Sequence, residues 1–379
     1  MTNYDFSPVK ELMQDFTERR EIPGVDITVS VGYTPVYRYM TGFADREACR
    51  RIDENTRFFL FSASKPITCA SVLRLVERGL IDLKAPLAAY MPEFAHPIIE
   101  DGKSKPHEAN NPITVRDLFC MTNGYSYEYL FCDSNIGIRQ GLPCPTVATV
   151  RQLAELPIRF EPHTNFAYGL GHDMLAALAE VVTGKKFRDY LKEEVFEPLG
   201  MENSHMHVTS EDFGKLAKLY EMNGKGKTQP AANPNNPFIL GEEYDSGGAG
   251  IISCPADYIK FATAMTNLGT SADGYALLKP ETVELMRKPH LKADEQEGFK
   301  ACNLPGYSYG LGVRTHIKPA ESGRLSPVGE FGWDGAAGAF VSFDPQNKIS
   351  IVYMQSVYNT PHAVNHKDLI NTVYRCLGF

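Results

Sequence analysis

Apolar residues along this chain follow a strand-like pattern near both ends and a helical spacing in between. Alternating positions or short apolar runs predict strands over residues 26–31, 36–41, 309–315, 339–344 and 349–354. A turn at Thr34-Pro35 would separate the first two strands. Pro345-Gln346-Asn347 is short enough to join the last two as an antiparallel hairpin. The pattern therefore predicts one antiparallel sheet that is built from both chain ends.

Helical spacing of apolar residues fills most of the remaining sequence. It predicts helices over residues 6–21, 62–77, 114–121, 150–156, 171–182, 211–222, 256–266 and 369–377. Because most of these helices lie between the two groups of strands, the fold class is predicted to be α+β, with helices flanking the sheet. We assign residues 1–82 and 245–379 to the sheet domain and residues 83–244 to a mainly helical inserted domain.

Composition and charge argue against nucleic-acid and membrane partners. The chain has 379 residues, of which 43% are hydrophobic and 22% charged, and this suits an ordinary globular protein with a large core. Its net charge of -8 disfavours nucleic-acid binding, which calls for a basic surface. No apolar run approaches the about 18 residues of a membrane span, and the N-terminal residues do not resemble a signal peptide. We expect no nucleic-acid or membrane partner and a cytoplasmic location.

The cysteines and histidines predict neither a disulfide framework nor a metal site. The eight cysteines are scattered and include no Cys-x-x-Cys pair, so free and mostly buried thiols are expected. His205 and His207 form a close pair, but no third ligand stands at a typical spacing. We expect no metal and no cofactor. The sequence leaves the oligomeric state open.

Ser62-x-x-Lys65 is the strongest candidate for covalent chemistry. An apolar stretch at 58–61 precedes it, and Pro66 with the apolar residues that follow predicts a helix. Residues i and i+3 share a helix face, so the Lys65 amine can reach the Ser62 hydroxyl. A serine becomes nucleophilic when a base takes its proton, and lysine serves as that base only when its pKa is lowered. The pattern alone is weak, because Ser7-x-x-Lys10 also satisfies it.

Two other motifs compete with Ser62. Gly306-x-Ser308-x-Gly310 matches the nucleophile elbow of hydrolases, but the following residues 311–315 alternate like a strand instead of forming the required helix. Ser308 is therefore interpreted as part of a strand that flanks a pocket. Asp133-Ser134-Asn135 has the letters of the Ser-Asp-Asn element of class A β-lactamases in the wrong order, and we discount it.

A set of segments that occur in a fixed order along the chain extends the Ser62 motif. They are Phe61-Ser62-Ala63-Ser64-Lys65, Ile113-Thr114-Val115-Arg116-Asp117-Leu118, Phe166-Ala167-Tyr168, Phe196-Glu197-Pro198-Leu199-Gly200-Met201, Gly247-Gly248-Ala249-Gly250-Ile251 and Gly332-Trp333-Asp334-Gly335. Together they resemble the serine β-lactamase and penicillin-binding-protein superfamily, in its class C-related branch. The resemblance covers nearly the whole chain and implies a β-lactamase/transpeptidase-like fold.

The resemblance also implies roles for individual residues. Ser62 would be acylated, Lys65 would help to deprotonate it, and Tyr168 would pass the proton to the leaving group. The backbone N–H groups of Ser62 and Ala336 would form the oxyanion hole. We expect the Tyr168 phenol to ionise below its usual pKa of about 10, because it would lie beside an ammonium group.

Departures from the family pattern carry information about the substrate. Leu170 stands where β-lactamases of this branch have an asparagine, and Trp333 replaces a cationic or imidazole residue. Asp334 adds a negative charge that should repel a β-lactam carboxylate, and it would either bind a substrate amine or turn to solvent. Gly335 and Tyr309 complete the expected substrate contacts. Tyr-x-Leu and Trp-x-Gly variants are similar to the carboxylesterases of the superfamily.

These residues predict a cofactor-free serine hydrolase that works through an acyl-enzyme on Ser62 and acts on small-molecule acyl substrates, chiefly small esters. Amide chemistry remains an alternative, as a β-lactamase, a D-aminopeptidase or a D-alanyl carboxypeptidase, and acyl transfer remains another. A further alternative is a catalytically silent member that binds or scaffolds. The sequence does not decide the acyl length.

Overall fold

The computed structural model describes residues 4–102, 104–131 and 143–379. Its helices are α1 (Ser7–Glu18), α2 (Lys65–Glu77), α3 (Val115–Cys120), α4 (Glu128–Phe131), α5 (Thr146–Arg151), α6 (Gly171–Thr183), α7 (Phe187–Leu191), α8 (Pro255–Thr266), α9 (Pro280–Arg287), α10 (Ala293–Phe299), α11 (Pro319–Ser322) and α12 (His362–Cys376). A 3-10 turn, Phe61–Ser64, leads directly into α2. None of the helices in the described ranges is both long and apolar enough to span a lipid bilayer.

The strands are β1 (Gly24–Val31), β2 (Thr34–Asp45), β3 (Arg50–Arg51), β4 (Phe58–Phe59), β5 (Ile98–Ile99), β6 (His107–Glu108), β7 (His205–Met206), β8 (Tyr220–Met222), β9 (Thr228–Pro230), β10 (Ile251–Ser253), β11 (Tyr307–Tyr309), β12 (Arg314–His316), β13 (Phe331–Asp334), β14 (Phe340–Asp344), β15 (Ile349–Met354) and β16 (Val357–Tyr358).

The main sheet joins the two ends of the chain. Within the described residues it has eight strands in the order β11-β12-β13-β14-β15-β1-β2-β3. Strand β1 pairs with β15 in antiparallel register, with Asp26 opposite Met354 and Val31 opposite Ile349. The prediction of an α+β protein with an antiparallel sheet built from both ends is confirmed.

The central strand β1 is covered on both faces, as its burial along nearly the whole length shows. Val25, Ile27 and Val29 of β1 pack in one core cluster with apolar residues of α1 and α12. Such alternation places every second side chain on the same face. Helix α8 contacts β1, β14 and β15.

Three local predictions were wrong. The expected strand 309–315 is two strands, β11 and β12, separated by a turn in which Gly312 has φ +83° and lies so close to Cys69 that a Cβ would not fit. The expected helix 211–222 contains a short 3-10 turn and then strand β8, which pairs in parallel with β16. The first hairpin turns at Gly32 and Tyr33 instead of Thr34-Pro35, since Gly32 supplies the positive φ of 58°.

The largest hydrophobic core crosses the expected domain boundaries. Leu73 of α2 and Val352 of β15 belong to the same cluster as Leu118 of α3 and Leu175 of α6. Helix α6 packs against both α2 and α3. The division into 1–82 with 245–379 and 83–244 therefore stays a prediction.

Candidate active site

A residue with a strained backbone, Phe61, directly precedes the candidate nucleophile Ser62. Phe61 has φ +48°, a left-handed conformation that is costly for a bulky residue. Its ring is fully buried and packs against the rings of Phe59, Phe238 and Tyr358, with centroids 5.9, 6.4 and 5.3 Å away. This packing stabilises the sharp 3-10 turn that carries Ser62 just before α2.

Lys65 contacts the Ser62 hydroxyl, as its helical spacing predicts. Its Nζ lies 3.0 Å from Ser62 Oγ, 3.1 Å from the Tyr127 hydroxyl and 2.8 Å from the carbonyl oxygen of Gly248. The side chain has no exposed surface. Burial lowers the pKa of Lys65 to about 7, and the negative charge of Asp173 offsets only part of that effect. Near neutral pH a large fraction of the amine is therefore neutral and able to accept a proton.

Gly248 leaves the space in which the polar groups around Lys65 meet. A Cβ at this position would stand 2.4 Å from the Tyr127 hydroxyl, 2.7 Å from Asp173 Oδ2 and 3.5 Å from Lys65 Nζ. Asp173 is buried and accepts hydrogen bonds from Ser246 at 2.7 Å and from the Tyr244 hydroxyl at 3.1 Å. Burial raises the pKa of the Asp173 carboxyl, and the hydrogen bonds and Lys65 offset part of that rise.

Tyr168 lies next to both members of the Ser62-x-x-Lys65 pair. The Lys65 amine is 4.7 Å from the centre of the Tyr168 ring. Burial raises the pKa of Tyr168, and hydrogen bonds from Ser62 and Trp333 offset only part of the rise. The expectation that this phenol ionises easily was therefore wrong in direction, because desolvation disfavours the charged phenolate. At neutral pH Tyr168 is therefore a neutral phenol.

Trp333 orients that phenol. The Trp333 Nε1–H donates to the Tyr168 hydroxyl oxygen at 3.0 Å, and the two rings stack with centroids 5.6 Å apart. Because the oxygen already accepts this bond, the hydroxyl hydrogen of Tyr168 is free to point elsewhere. Tyr309 packs edge-on against Trp333 at 5.0 Å and is fully buried. Tyr309 thus supports the indole ring.

The Asp334 carboxylate is partly exposed, with 27% of its side-chain surface accessible, and it is paired with cationic groups of the protein itself. One oxygen accepts a hydrogen bond from Arg314 at 2.6 Å, and the other lies 3.2 Å from His366 Nδ1. Burial alone would raise the pKa of Asp334, but Arg314 and His366 outweigh it and lower the pKa. The charge is balanced within the protein, so the argument that Asp334 repels a β-lactam carboxylate loses its basis.

Comparison with known proteins decides the family. A family model described as Beta-lactamase matches residues 9–373. The chain belongs to this beta-lactamase family. It is 30% identical over 348 residues to the esterase EstB of Burkholderia gladioli, covering 86% of this chain and 83% of that protein. It is 27% identical over 304 residues to lovastatin esterase of Penicillium rubens, covering 73% of this chain and 71% of that protein.

A solved structure has a similar fold over nearly the whole chain. That of EstCE1, described as a hydrolase with promiscuous acyltransferase activity, has a TM-score of 0.83 at 23% identity and covers 97% of both chains. The predicted superfamily and its β-lactamase/transpeptidase-like fold are confirmed. This member of the beta-lactamase family is an enzyme, a serine hydrolase related to esterases.

The remaining predicted site residues lie in different surroundings. Leu170 is fully buried in the main core, so its side chain, contrary to expectation, offers no surface to a substrate. Gly335 passes so close to the 3-10 turn that a Cβ would stand 2.3 Å from the Leu60 carbonyl oxygen. Ala336, the next residue, is exposed. The structure thus brings the end of β13 next to the segment that carries Ser62.

The competing motifs show ordinary structural roles. Ser308 lies in β11, is buried, and its hydroxyl donates to the side-chain oxygen of Gln296 at 2.7 Å. His205 and His207 face Asp212 and Asp245, at 2.9 and 2.7 Å. Asp133-Ser134-Asn135 lies outside the described residues.

Sequence reasoning missed Tyr127, Asp173 and the role of Gly248. Tyr127 lies in a loop after α3, Asp173 in the first turn of α6, and Gly248 before β10. The one available signal was the glycine cluster at 247–250, since glycine often marks a close approach of the backbone to other groups. The other two residues have no local pattern that distinguishes them from structural residues.

Proposed function

We propose that this enzyme hydrolyses small esters through an acyl-enzyme on Ser62. The observation that carries the proposal is the buried Lys65 amine, 3.0 Å from the Ser62 hydroxyl and with its pKa lowered to about 7. A base works best when its pKa lies near the working pH, and a contact of this length allows direct proton transfer. A silent scaffold would have no use for such an amine.

The proton moves in a closed cycle. Lys65 takes the Ser62 proton as the oxygen attacks the ester carbonyl, and a tetrahedral intermediate forms. The ammonium proton then passes through the Tyr168 hydroxyl to the alcohol oxygen as the C–O bond breaks. Water enters, gives its proton back along the same route, and releases the acid and free Ser62. Tyr168 suits this relay because it stays a neutral phenol beside Ser62.

We assign the oxyanion hole to the backbone N–H groups of Ser62 and Ala336. Ser62 lies in the first turn of a helical segment, where N–H groups lack an intrahelical acceptor. Ala336 follows Gly335, whose missing side chain permits the close approach to Leu60. Two such donors stabilise the negative oxygen of the tetrahedral intermediate.

Small neutral esters are the proposed substrates. Trp333 occupies the position of a cationic or imidazole residue and packs on Tyr168. This position therefore offers no positive charge that would bind a substrate carboxylate. The relatives named as esterases support this choice. Acyl transfer to an alcohol is the second candidate, supported by the acyltransferase activity of the EstCE1 hydrolase. A cytoplasmic location stays a prediction.

Covalent labelling tests the proposal. A fluorophosphonate probe should label the wild type on a Ser62 peptide, and Ser62→Ala should abolish both the label and the hydrolysis of p-nitrophenyl butyrate. Ser308→Ala is the matched control, since this serine lies in the rival motif and outside the proposed machinery. It should keep both properties. A label on Ser308, or no label at all, would refute the assignment, and a chromogenic cephalosporin as the preferred substrate would refute the ester preference.

A further inference from the structure

The loop between β13 and β14 carries the proposed oxyanion-hole residue, and each of its carbonyl groups has a donor. The Gly335 carbonyl accepts from the Gly338 N–H at 2.8 Å, and the Ala337 carbonyl accepts from the Val357 N–H at 2.9 Å. The Ala339 carbonyl accepts from the Gly335 N–H at 2.8 Å. The two remaining carbonyls, those of Ala336 and Gly338, face side chains of α12. The loop is therefore fixed from the last helix as well as from the backbone.

His362, in the first turn of α12, holds the Ala336 carbonyl. Its Nε2 lies 3.2 Å from that oxygen, and its Nδ1 lies 2.8 Å from the Thr360 hydroxyl. A carbonyl only accepts, so Nε2 must carry the hydrogen and Nδ1 then accepts from Thr360. Burial, with a smaller contribution from the neighbouring His366, lowers the pKa of His362 to about 4. The ring is therefore neutral at pH 7, as this arrangement requires.

His366, one turn later, connects the loop to the ion pair between Asp334 and Arg314. Its Nδ1 lies 3.2 Å from Asp334 and its Nε2 lies 3.2 Å from the Gly338 carbonyl oxygen. Both partners are hydrogen-bond acceptors, so the imidazole ring is the donor that links Asp334 to the Gly338 carbonyl. The other Asp334 oxygen binds Arg314 at 2.6 Å. A continuous chain of contacts thus runs from Arg314 through Asp334 and His366 to the loop.

We propose that His362 and His366 are positioning residues that hold the β13–β14 loop so that the Ala336 N–H points at the substrate carbonyl oxygen. The inference rests on the proposed function, since it needs Ala336 in the oxyanion hole. Within the described residues the Ala336 N–H donates to no acceptor, and Ala336 is exposed. A preorganised donor accelerates the reaction because it needs no rearrangement when charge develops.

Two substitutions of His362 separate the donor from the ring. In His362→Gln the amide nitrogen can reach the position of Nε2 and donate to Ala336, whereas in His362→Asn it reaches only the position of Nδ1. We expect His362→Asn to lower kcat for p-nitrophenyl butyrate by about 10-fold, less than the 10²- to 10³-fold loss for removing an oxyanion donor. KM should change little. His362→Gln should stay close to wild type.

Phenylboronic acid, which forms a tetrahedral adduct with an active serine, gives an independent readout. His362→Asn should weaken its inhibition by a factor similar to the loss in kcat, while His362→Gln should not. Equal kinetics for the Gln and Asn variants, or a change confined to KM or to thermal stability, would overturn the inference. His366→Leu should lower kcat more than His362→Asn does. A folded His366→Leu with wild-type kcat would overturn the part of the proposal that concerns His366.

The failure of the proposed function gives a different result. If wild type shows no turnover above the Ser62→Ala background, both the ester hydrolysis and the positioning role are refuted. If wild type is active through Ser62 and only the His362 variants behave alike, the positioning role fails and the proposed function stands.

Discussion

Lys65 and Arg314 are both fully buried cations near this site, and they are used in opposite ways. Lys65 contacts neutral groups, namely a hydroxyl of serine, a phenol and a backbone carbonyl, and burial lowers its pKa to about 7. Burial alone would also lower the pKa of Arg314, but Asp334 and Glu330 outweigh it and raise the pKa. The partners of a buried cation therefore decide whether it exchanges protons or holds strands together.

This difference has an energetic side. The buried amine of Lys65 costs folding free energy, since its proton affinity falls on folding. Arg314 instead links the carboxylates of Asp334 and Glu330, at 2.6 and 3.5 Å, and donates to the Val341 carbonyl at 3.0 Å. A buried ion is tolerated when its charge is balanced and most of its hydrogen bonds are made. One site thus gives up stability for reactivity, and the other is organised for structure.

Lys65→Met should have the largest effect. Without a base for Ser62, hydrolysis of p-nitrophenyl butyrate should fall by about 10³- to 10⁴-fold. Stability should rise at neutral pH, because a side chain of similar length replaces an amine that is costly to bury. The folded pKa lies below the usual 10.5, so wild type gains stability as pH rises from about 7 to 10.5, and the advantage of the variant should shrink over that window. Kinetics and urea unfolding at several pH values measure both effects.

Arg314→Met should act in the opposite direction on stability. It leaves the fully buried Glu330 and the partly exposed Asp334 without their cation, and removing one partner of a buried pair costs about 3–5 kcal/mol. Urea unfolding at pH 7 measures the change. A variant at least as stable as wild type would show that the two cations do not differ as described, and Lys318→Met serves as the exposed control.

The sequence predicted those parts of the fold whose signal is local. Helix α6 could be located because both its apolar spacing and its terminal glycine lie within the segment itself. The β14–β15 hairpin could be predicted because its turn is short. The segment 211–222 misled because β8 lies between two strands, β9, which follows it, and β16, which is far away in sequence. Contact with a remote strand overrides a local helical spacing.

The site follows the same rule. Ser62 and Lys65 could be paired from helix geometry alone, but Tyr127 and Gly248 reach Lys65 from segments 62 and 183 residues away. The partners of Asp334 are likewise 20 and 32 residues distant, so its sequence position could not reveal that its charge is balanced. Sequence reasoning identified the reacting groups and missed the groups that set their charge.

Gly248→Ala should have an intermediate effect that belongs to the Lys65 side of the comparison. The new Cβ would overlap the Tyr127 hydroxyl and Asp173 and displace the amine from Ser62. Displacing a catalytic group by about 1 Å can cost about 100-fold, so we expect kcat to fall by about 10- to 100-fold. Gly224→Ala, at an exposed position with open space around it and no positive φ, controls for the backbone change in stability. An unchanged kcat would mean that the Lys65 pocket is not tightly packed.

Asp173→Asn should have the smallest effect and sharpens the account of Lys65. The Asp173 charge raises the pKa of Lys65 against the larger effect of burial, so the amide should let that pKa fall further. Since the neutral amine is the active form, kcat/KM rises with pH through about 7 in wild type, and this acid limb should move to lower pH in the variant. The plateau at higher pH should change little, because Asp173 does not contact Ser62. A limb that moves to higher pH would mean that another group controls it, whereas the predicted shift would identify Lys65 as the cation whose charge the site regulates.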